Sequence, residues 1–203
     1  MQYLTIGTDE ITEEKFRAIQ DRKDSIKPTG GLWLTEYKNE KYNSWVNFML
    51  EPENENSNIY TYKYYKYYGY NVPCVLVSLK DDSNIFFLDK INKLKYLMEN
   101  YKSDDNIFTF EGLSKKYDGI FIRPYEMIDK KVDWEISKKF FTFCVDTLLL
   151  FNLNCIDFYQ KGNVDIVSFF PEDNLENPDY GCDSDEPRYT IKFKESKEKV
   201  LKR

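Results

Sequence analysis

The chain of 203 residues contains no histidine. That absence removes Ser-His-Asp and Cys-His catalysis, histidine-ligated zinc and any imidazole base. Chemistry in this protein has to run on carboxylates, hydroxyls, lysine, tyrosine or cysteine. Cysteine is sparse too. Cys74, Cys144, Cys155 and Cys182 form no C-x-x-C pair and no zinc ribbon, so all four are expected as free thiols. No stretch approaches the length of a membrane span, and Asp9 and Glu10 interrupt any apolar leader. A reduced, cytoplasmic protein is the expectation. Neither G-x-G-x-x-G nor G-x-x-x-x-G-K-[ST] occurs, so the dinucleotide fingerprint and the P-loop are both missing.

What is present suits one domain of ordinary size. Hydrophobic residues make up 41%, enough for a core, and aromatic residues 17%, with 17 Tyr and 15 Phe. The net charge of −6 disfavours a nonspecific nucleic-acid binder, which needs a basic field against phosphates.

Short apolar runs bounded by Gly, Pro and Asp predict strands near 2–6, 31–35, 74–79, 117–122, 145–151 and 155–159. Ile85-Phe86-Phe87-Leu88 and Tyr189 to Phe193 read as two more. Thr12 with Glu13 and Glu14 predicts a helix start, with Phe16 and Ile19 on one face. Ser44 reads as the cap of a second helix carrying Trp45, Phe48 and Met49. Ile91, Leu94, Leu97 and Met98 make a stripe over a helix at 90–101, and a short helix is expected near Leu113. The fold class is therefore α+β, with a mixed, mostly antiparallel sheet arrangement rather than a doubly wound one. Residues 1–170 form the main unit. Residues 171–203 comprise an acidic loop and a basic tail that pack on it or trail from it, the tail ending in a strand and a frayed helix.

Two segments have unusual composition. Residues 60–70 hold seven tyrosines with Lys63 and Lys66 between them. They suit either a stacking platform for bases or an amphipathic strand with rings in the core. Residues 172–186 carry seven acidic side chains and no basic one, which suits a solvated loop and matches no calcium-loop spacing.

The chemistry-bearing pattern is Gly30-Gly31-Leu32-Trp33-Leu34-Thr35, with Trp45 ten residues beyond, and Asp146 opening Thr147-Leu148-Leu149-Leu150. Gly30 and Gly31 let a backbone approach a ligand without a Cβ in the way. Trp33 and Trp45 are close enough in sequence for one aromatic wall. Thr35 ends its strand with a hydroxyl, and Asp118 and Asp146 each open an apolar strand with a carboxylate. A hydroxyl and a carboxylate at two strand mouths suit a ribose and can stabilise an oxocarbenium-like centre, which points to NAD. Each group also has a structural role open to it: a tight turn, core tryptophans, or a carboxylate that accepts backbone N–H bonds.

Over residues 1–160 the order of elements resembles the ADP-ribosyltransferase superfamily, especially small bacterial and phage members. Such proteins carry Arg or His on a first strand, a hydroxyl on a second, and a catalytic Glu opening a late strand. Tyr3-Leu4-Thr5-Ile6-Gly7-Thr8 is similar to the first, Leu32-Trp33-Leu34-Thr35 to the second, and Asp146 to Asn152 with Ile156 and Tyr159 to the third. The chain departs twice: no Arg or His stands on the first strand, and Asp replaces Glu. The resemblance implies NAD as substrate, bound in a bent form between two central sheets. It implies that Gly30, Gly31 and the first strand hold the nicotinamide amide, that Thr5 or Thr8 meets the nicotinamide ribose, and that Trp33 and Trp45 wall the site. Thr35 would position Asp146, and Asp146 would bind the ribose 2′-OH. It further implies a protein or nucleic-acid acceptor, a toxin or phage-conflict role, and a possible cognate antitoxin or inhibitor. The alternative is a non-enzymatic interaction module, such as an immunity, antitoxin or phage accessory protein; the missing Arg/His, the acidic surface and the aromatic excess favour it.

Overall fold

The structure is a computed structural model that describes residues 1–23, 25–40, 43–50, 71–104, 107–127, 136, 140, 142–166 and 189–200. Eight strands make one sheet: β1 (Gln2–Ile6), β2 (Leu32–Glu36), β3 (Asn71–Leu79), β4 (Ile85–Leu88), β5 (Gly119–Ile122), β6 (Thr147–Leu150), β7 (Ile156–Ile166) and β8 (Tyr189–Glu198). Their order across the sheet is β4-β5-β6-β2-β1-β3-β7-β8. Only the β4–β5 pair is parallel; the other neighbours run antiparallel. Among the described residues, three helices accompany them: α1 (Ser44–Leu50), α2 (Ile91–Asn100) and α3 (Phe110–Ser114), with a 3-10 turn at Pro124–Met127. The fold is α+β with a mixed, mostly antiparallel sheet. It has one continuous sheet where the resemblance implied two.

Alternation along the strands sends side chains to two faces. On one face α2 covers the β4–β5–β6–β2 half. There Leu94, Leu97, Phe110, Leu113, Ile120, Ile122, Leu149 and Phe151 share a buried cluster. On the same face α1 covers the other half, where Val46 packs with Leu4, Ile6, Cys74 and Ile191. The opposite face gathers Tyr3, Leu34, Val75, Val77, Phe121, Leu148, Leu150 and Tyr159. Two whole strands, β2 and β6, separate Tyr3 from Phe121, yet their ring centroids are 6.2 Å apart. Strands in a flat sheet lie about 4.8 Å apart, so the sheet must curl over this second face, making it the inner one.

Several expectations change. No helix forms from Thr12. The segment makes a turn, with Phe16 N–H donating to Thr12 O, and then runs as a strap bridged at Gln20 and Thr29. A helix would need Arg17 O for its own ladder, but that carbonyl accepts from Gly31 N–H at 2.8 Å. Phe16 and Ile19 consequently enter different clusters. The cap of α1 is Asn43 rather than Ser44, since Asn43 Oδ1 accepts from the N–H groups of Trp45 and Val46. The last strand continues through Glu198 where a frayed helix was expected, because Gln160 pairs with Lys197 and Tyr159 with Glu198. β8 thus joins the tail to the sheet. The tyrosine-rich run at 60–70 and the acidic run at 172–186 lie outside the described residues. Among the described residues, no helix is long and apolar enough to cross a membrane. Cys74, Cys144 and Cys155 are not in disulfides; Cys182 lies outside the described residues.

Candidate functional site

The site is built from strand register. Tyr3 lies opposite Glu36 in the β1–β2 pair. The β2–β6 pairing sets Leu34 opposite Leu148, and the β5–β6 pairing sets Ile122 opposite Thr147. Continuing those registers, Glu36 faces Asp146 and Asp146 faces Arg123. Tyr3, Glu36, Asp146 and Arg123 therefore form one row across β1, β2, β6 and β5, on the inner face of the curl.

Side-chain geometry agrees with the row. Arg123 Nε lies 3.6 Å from Asp146 Oδ2, with both side chains partly open to solvent. The Arg123 guanidinium lies over the Phe121 ring at 5.7 Å. Phe121 in turn meets Phe87 at 5.7 Å. Burial raises the pKa of the Asp146 carboxyl above its usual value. Arg123 and Lys38 pull it down, and the like charges of Glu36 and Glu126 push it further up. Tyr3 is pushed up to about 12, mainly by burial and then by Glu36. Asp146 is thus a half-buried carboxylate with one cation against it and a second carboxylate as its cross-strand neighbour. Such a group can bind a hydroxyl, oppose a developing positive charge, or take a proton.

Thr35 lies elsewhere. It pairs with Leu4, so its side chain is on the face that α1 covers. It is 2% exposed. Its hydroxyl donates to the main-chain carbonyl of Asp146 at 3.1 Å and is 2.9 Å from Ser44 Oγ. With its one proton committed to the carbonyl, Thr35 accepts from Ser44. Thr35 therefore positions Asp146 through the backbone, and the two side chains do not share a pocket.

The glycine pair is also far from Asp146. Gly30 and Gly31 have φ of +78° and +68°. They precede β2 and pack at the Leu150 end of β6, whereas Asp146 is at the other end, about 15 Å away by strand rise. A Cβ on Gly30 would lie 2.1 Å from Ala18 O. What approaches these glycines closely is the protein's own strap. Trp33 donates from Nε1 to Gly30 O and packs on Phe143 under α2. Trp45 packs in the cluster under α1. The tryptophans belong to different clusters and do not form the expected common wall. Thr5 pairs with Val75 on the inner face and is half-buried there, on the same side as Asp146.

Asp118 takes the structural role open to it. Its carboxylate accepts from Asn84 N–H at 2.9 Å and from Asn152 Nδ2 at 2.8 Å, tying β4, β5 and the end of β6 together. Among the described residues, no group of His, Cys, Asp and Glu could hold a metal ion. Tyr3, Glu36 and Arg123 were not singled out in the sequence. Their signal is positional, one residue at or beside each strand end, and it emerges only when the registers are known. No family profile, no curated protein and no solved structure matches the chain.

Proposed function

We propose that the protein is an NAD-dependent ADP-ribosyltransferase acting in the cytoplasm on a protein or nucleic-acid target, as a toxin or phage-conflict factor. Its fold would then be ADP-ribosyltransferase-like, and a cognate antitoxin or inhibitor would be an expected partner. One observation carries this reading: β1, β2 and β6 are consecutive in the sheet, with the half-buried Asp146 at the mouth of β6. These are the strands on which the resemblance rests. Asp146 would accept the 2′-OH of the nicotinamide ribose. Nicotinamide would leave with the glycosidic bonding pair, and the carboxylate would oppose the positive charge growing on the ribose. An acceptor lone pair would then bond to the anomeric carbon, and the acceptor would lose its proton.

Nicotinamide release from NAD tests this. Asp146→Ala should lower the rate roughly 10²–10³-fold, the cost of one preorganised electrostatic group, while leaving Tm nearly unchanged. Absence of NAD binding at millimolar concentration would exclude the enzyme. The second reading, a non-enzymatic interaction module, would then lead. It is favoured by Phe87 and Tyr125, exposed at 40% and 70%, on the strand and turn beside β5.

A further inference from the structure

The first strand offers no cation to an anionic ligand, and the row at Asp146 supplies one from a different strand. Arg123 follows β5 directly, and its N–H donates to Leu88 O at 3.0 Å, so its backbone is held in the sheet. Its guanidinium has two neighbours: Nε lies 3.6 Å from Asp146 Oδ2, and Cζ lies 5.7 Å from the centre of the Phe121 ring. Both contacts leave the outer edge of the fork, the two terminal nitrogens, without a hydrogen-bond acceptor among the described residues. The side chain is 47% exposed. A planar fork that is ion-paired at Nε and seated over a ring has less rotamer freedom to lose when it binds. The acidic neighbours Glu36 and Glu126 make an unscreened anion unwelcome elsewhere on this row. The Arg123 edge offers a phosphate oxygen a cation directly beside the carboxylate.

We propose that Arg123 is the phosphate-binding residue of this site, taking a pyrophosphate-bearing ligand whose sugar lies at Asp146. The proposal rests on the ADP-ribosyl reading for the sugar, but the anion contact can be tested without it. Arg123 and Asp146 then act as a matched pair. The cation holds the phosphate, the carboxylate holds the sugar hydroxyl, and their mutual contact fixes the spacing.

Calorimetric titration with NAD, nicotinamide riboside and inorganic pyrophosphate tests it, using the full chain, Arg123→Gln and Arg123→Lys. The parent should bind NAD and pyrophosphate, and NAD more tightly than the riboside. Arg123→Gln should weaken NAD and pyrophosphate about tenfold or more, the loss of one charge-assisted pair. It should leave the riboside unchanged and flatten the salt dependence of NAD binding. Arg123→Lys should fall between, because a point charge lacks the fork, and it serves as the folded control if the glutamine variant loses structure. Arg123-dependent binding of pyrophosphate without any binding of NAD would defeat the ADP-ribosyl reading and leave the anion contact standing. Equal NAD and pyrophosphate affinity in parent and Arg123→Gln, equal loss of the riboside, or no pyrophosphate binding by the parent would overturn the proposal.

Discussion

Thr35 donates its hydroxyl to the main-chain carbonyl of Asp146, from the face of the sheet opposite to the Asp146 carboxylate. The bond is local to two paired strands, yet the residues are far apart in the chain. It also reaches α1 through Ser44. Asp146 is therefore held from behind by a buried hydroxyl and met from the front by Arg123.

Thr35→Val should test which role the hydroxyl plays. The substitution keeps the shape and removes the hydroxyl that meets the Asp146 carbonyl and Ser44. A stability loss of about 1–2 kcal/mol is expected in urea unfolding. Thr35→Ser should recover most of it. If Thr35→Val abolished NAD binding with no change in stability, the hydroxyl would have to contact ligand, contrary to its position.

Asp146 carries a pH signature. Its folded-state pKa is raised, chiefly by burial, so the folded protein holds the Asp146 proton more tightly than the unfolded chain does. The stability it contributes is full below the unfolded carboxylate pKa and is lost as pH rises through the folded one. At pH 7 the charge is a burden on folding. Asp146→Asn should raise Tm at pH 7, by no more than about 2 °C because the side chain is partly screened by water, and should have no such effect near pH 3. Binding that needs the ionised form should fall on acidification with a midpoint above the ordinary aspartate value. Glu36→Gln should move that midpoint down and Arg123→Gln should move it up.

Gly30 tolerates no side chain. Its φ of +78° disfavours an L residue, and the added Cβ would collide with the Ala18 carbonyl, which is backbone and cannot swing aside. Gly30→Ala should cost about 3 kcal/mol or more, or leave the protein insoluble. A variant with parental Tm would show that the strap does not press on the glycine pair.

The thiols should separate by environment. Burial pushes Cys74 and Cys155 each up to about 12, and neither is open to reagent. Cys144 is half-exposed. Titration with a thiol reagent should count four thiols in denaturant. In the native protein Cys74 and Cys155 should react far more slowly than Cys144. A denatured count of two or fewer in fresh protein would contradict free thiols.

Strand positions were readable from sequence because apolar runs such as Leu148 to Phe151 end at polar or glycine residues, and that boundary is local. The faces were not. Whether Thr35 sits with Asp146 or behind it depends on pairing Leu34 with Leu148, and a slip of one residue would reverse the answer. Arg123 was missed for the same reason: nothing in Ile122-Arg123-Pro124 says that Asp146 lies opposite. The false helix at Thr12 shows the converse. Its start signal was sound locally, but the Arg17 carbonyl was claimed by Gly31 from beyond the segment.

The place of β2 has a consequence for synthesis. Its partner toward β5 is β6, so Trp33 waits for Leu149 to leave the ribosome, while β1 and β3 can associate much sooner. Until then one side of β2 is an open, apolar edge, and pairings between distant segments close slowly. A nascent chain stopped before Thr147 should be prone to aggregate, and one that includes β6 should not. Pulse-labelled translation of chains ending at 140 and at 166, followed by centrifugation, would read that difference as a change in the soluble fraction.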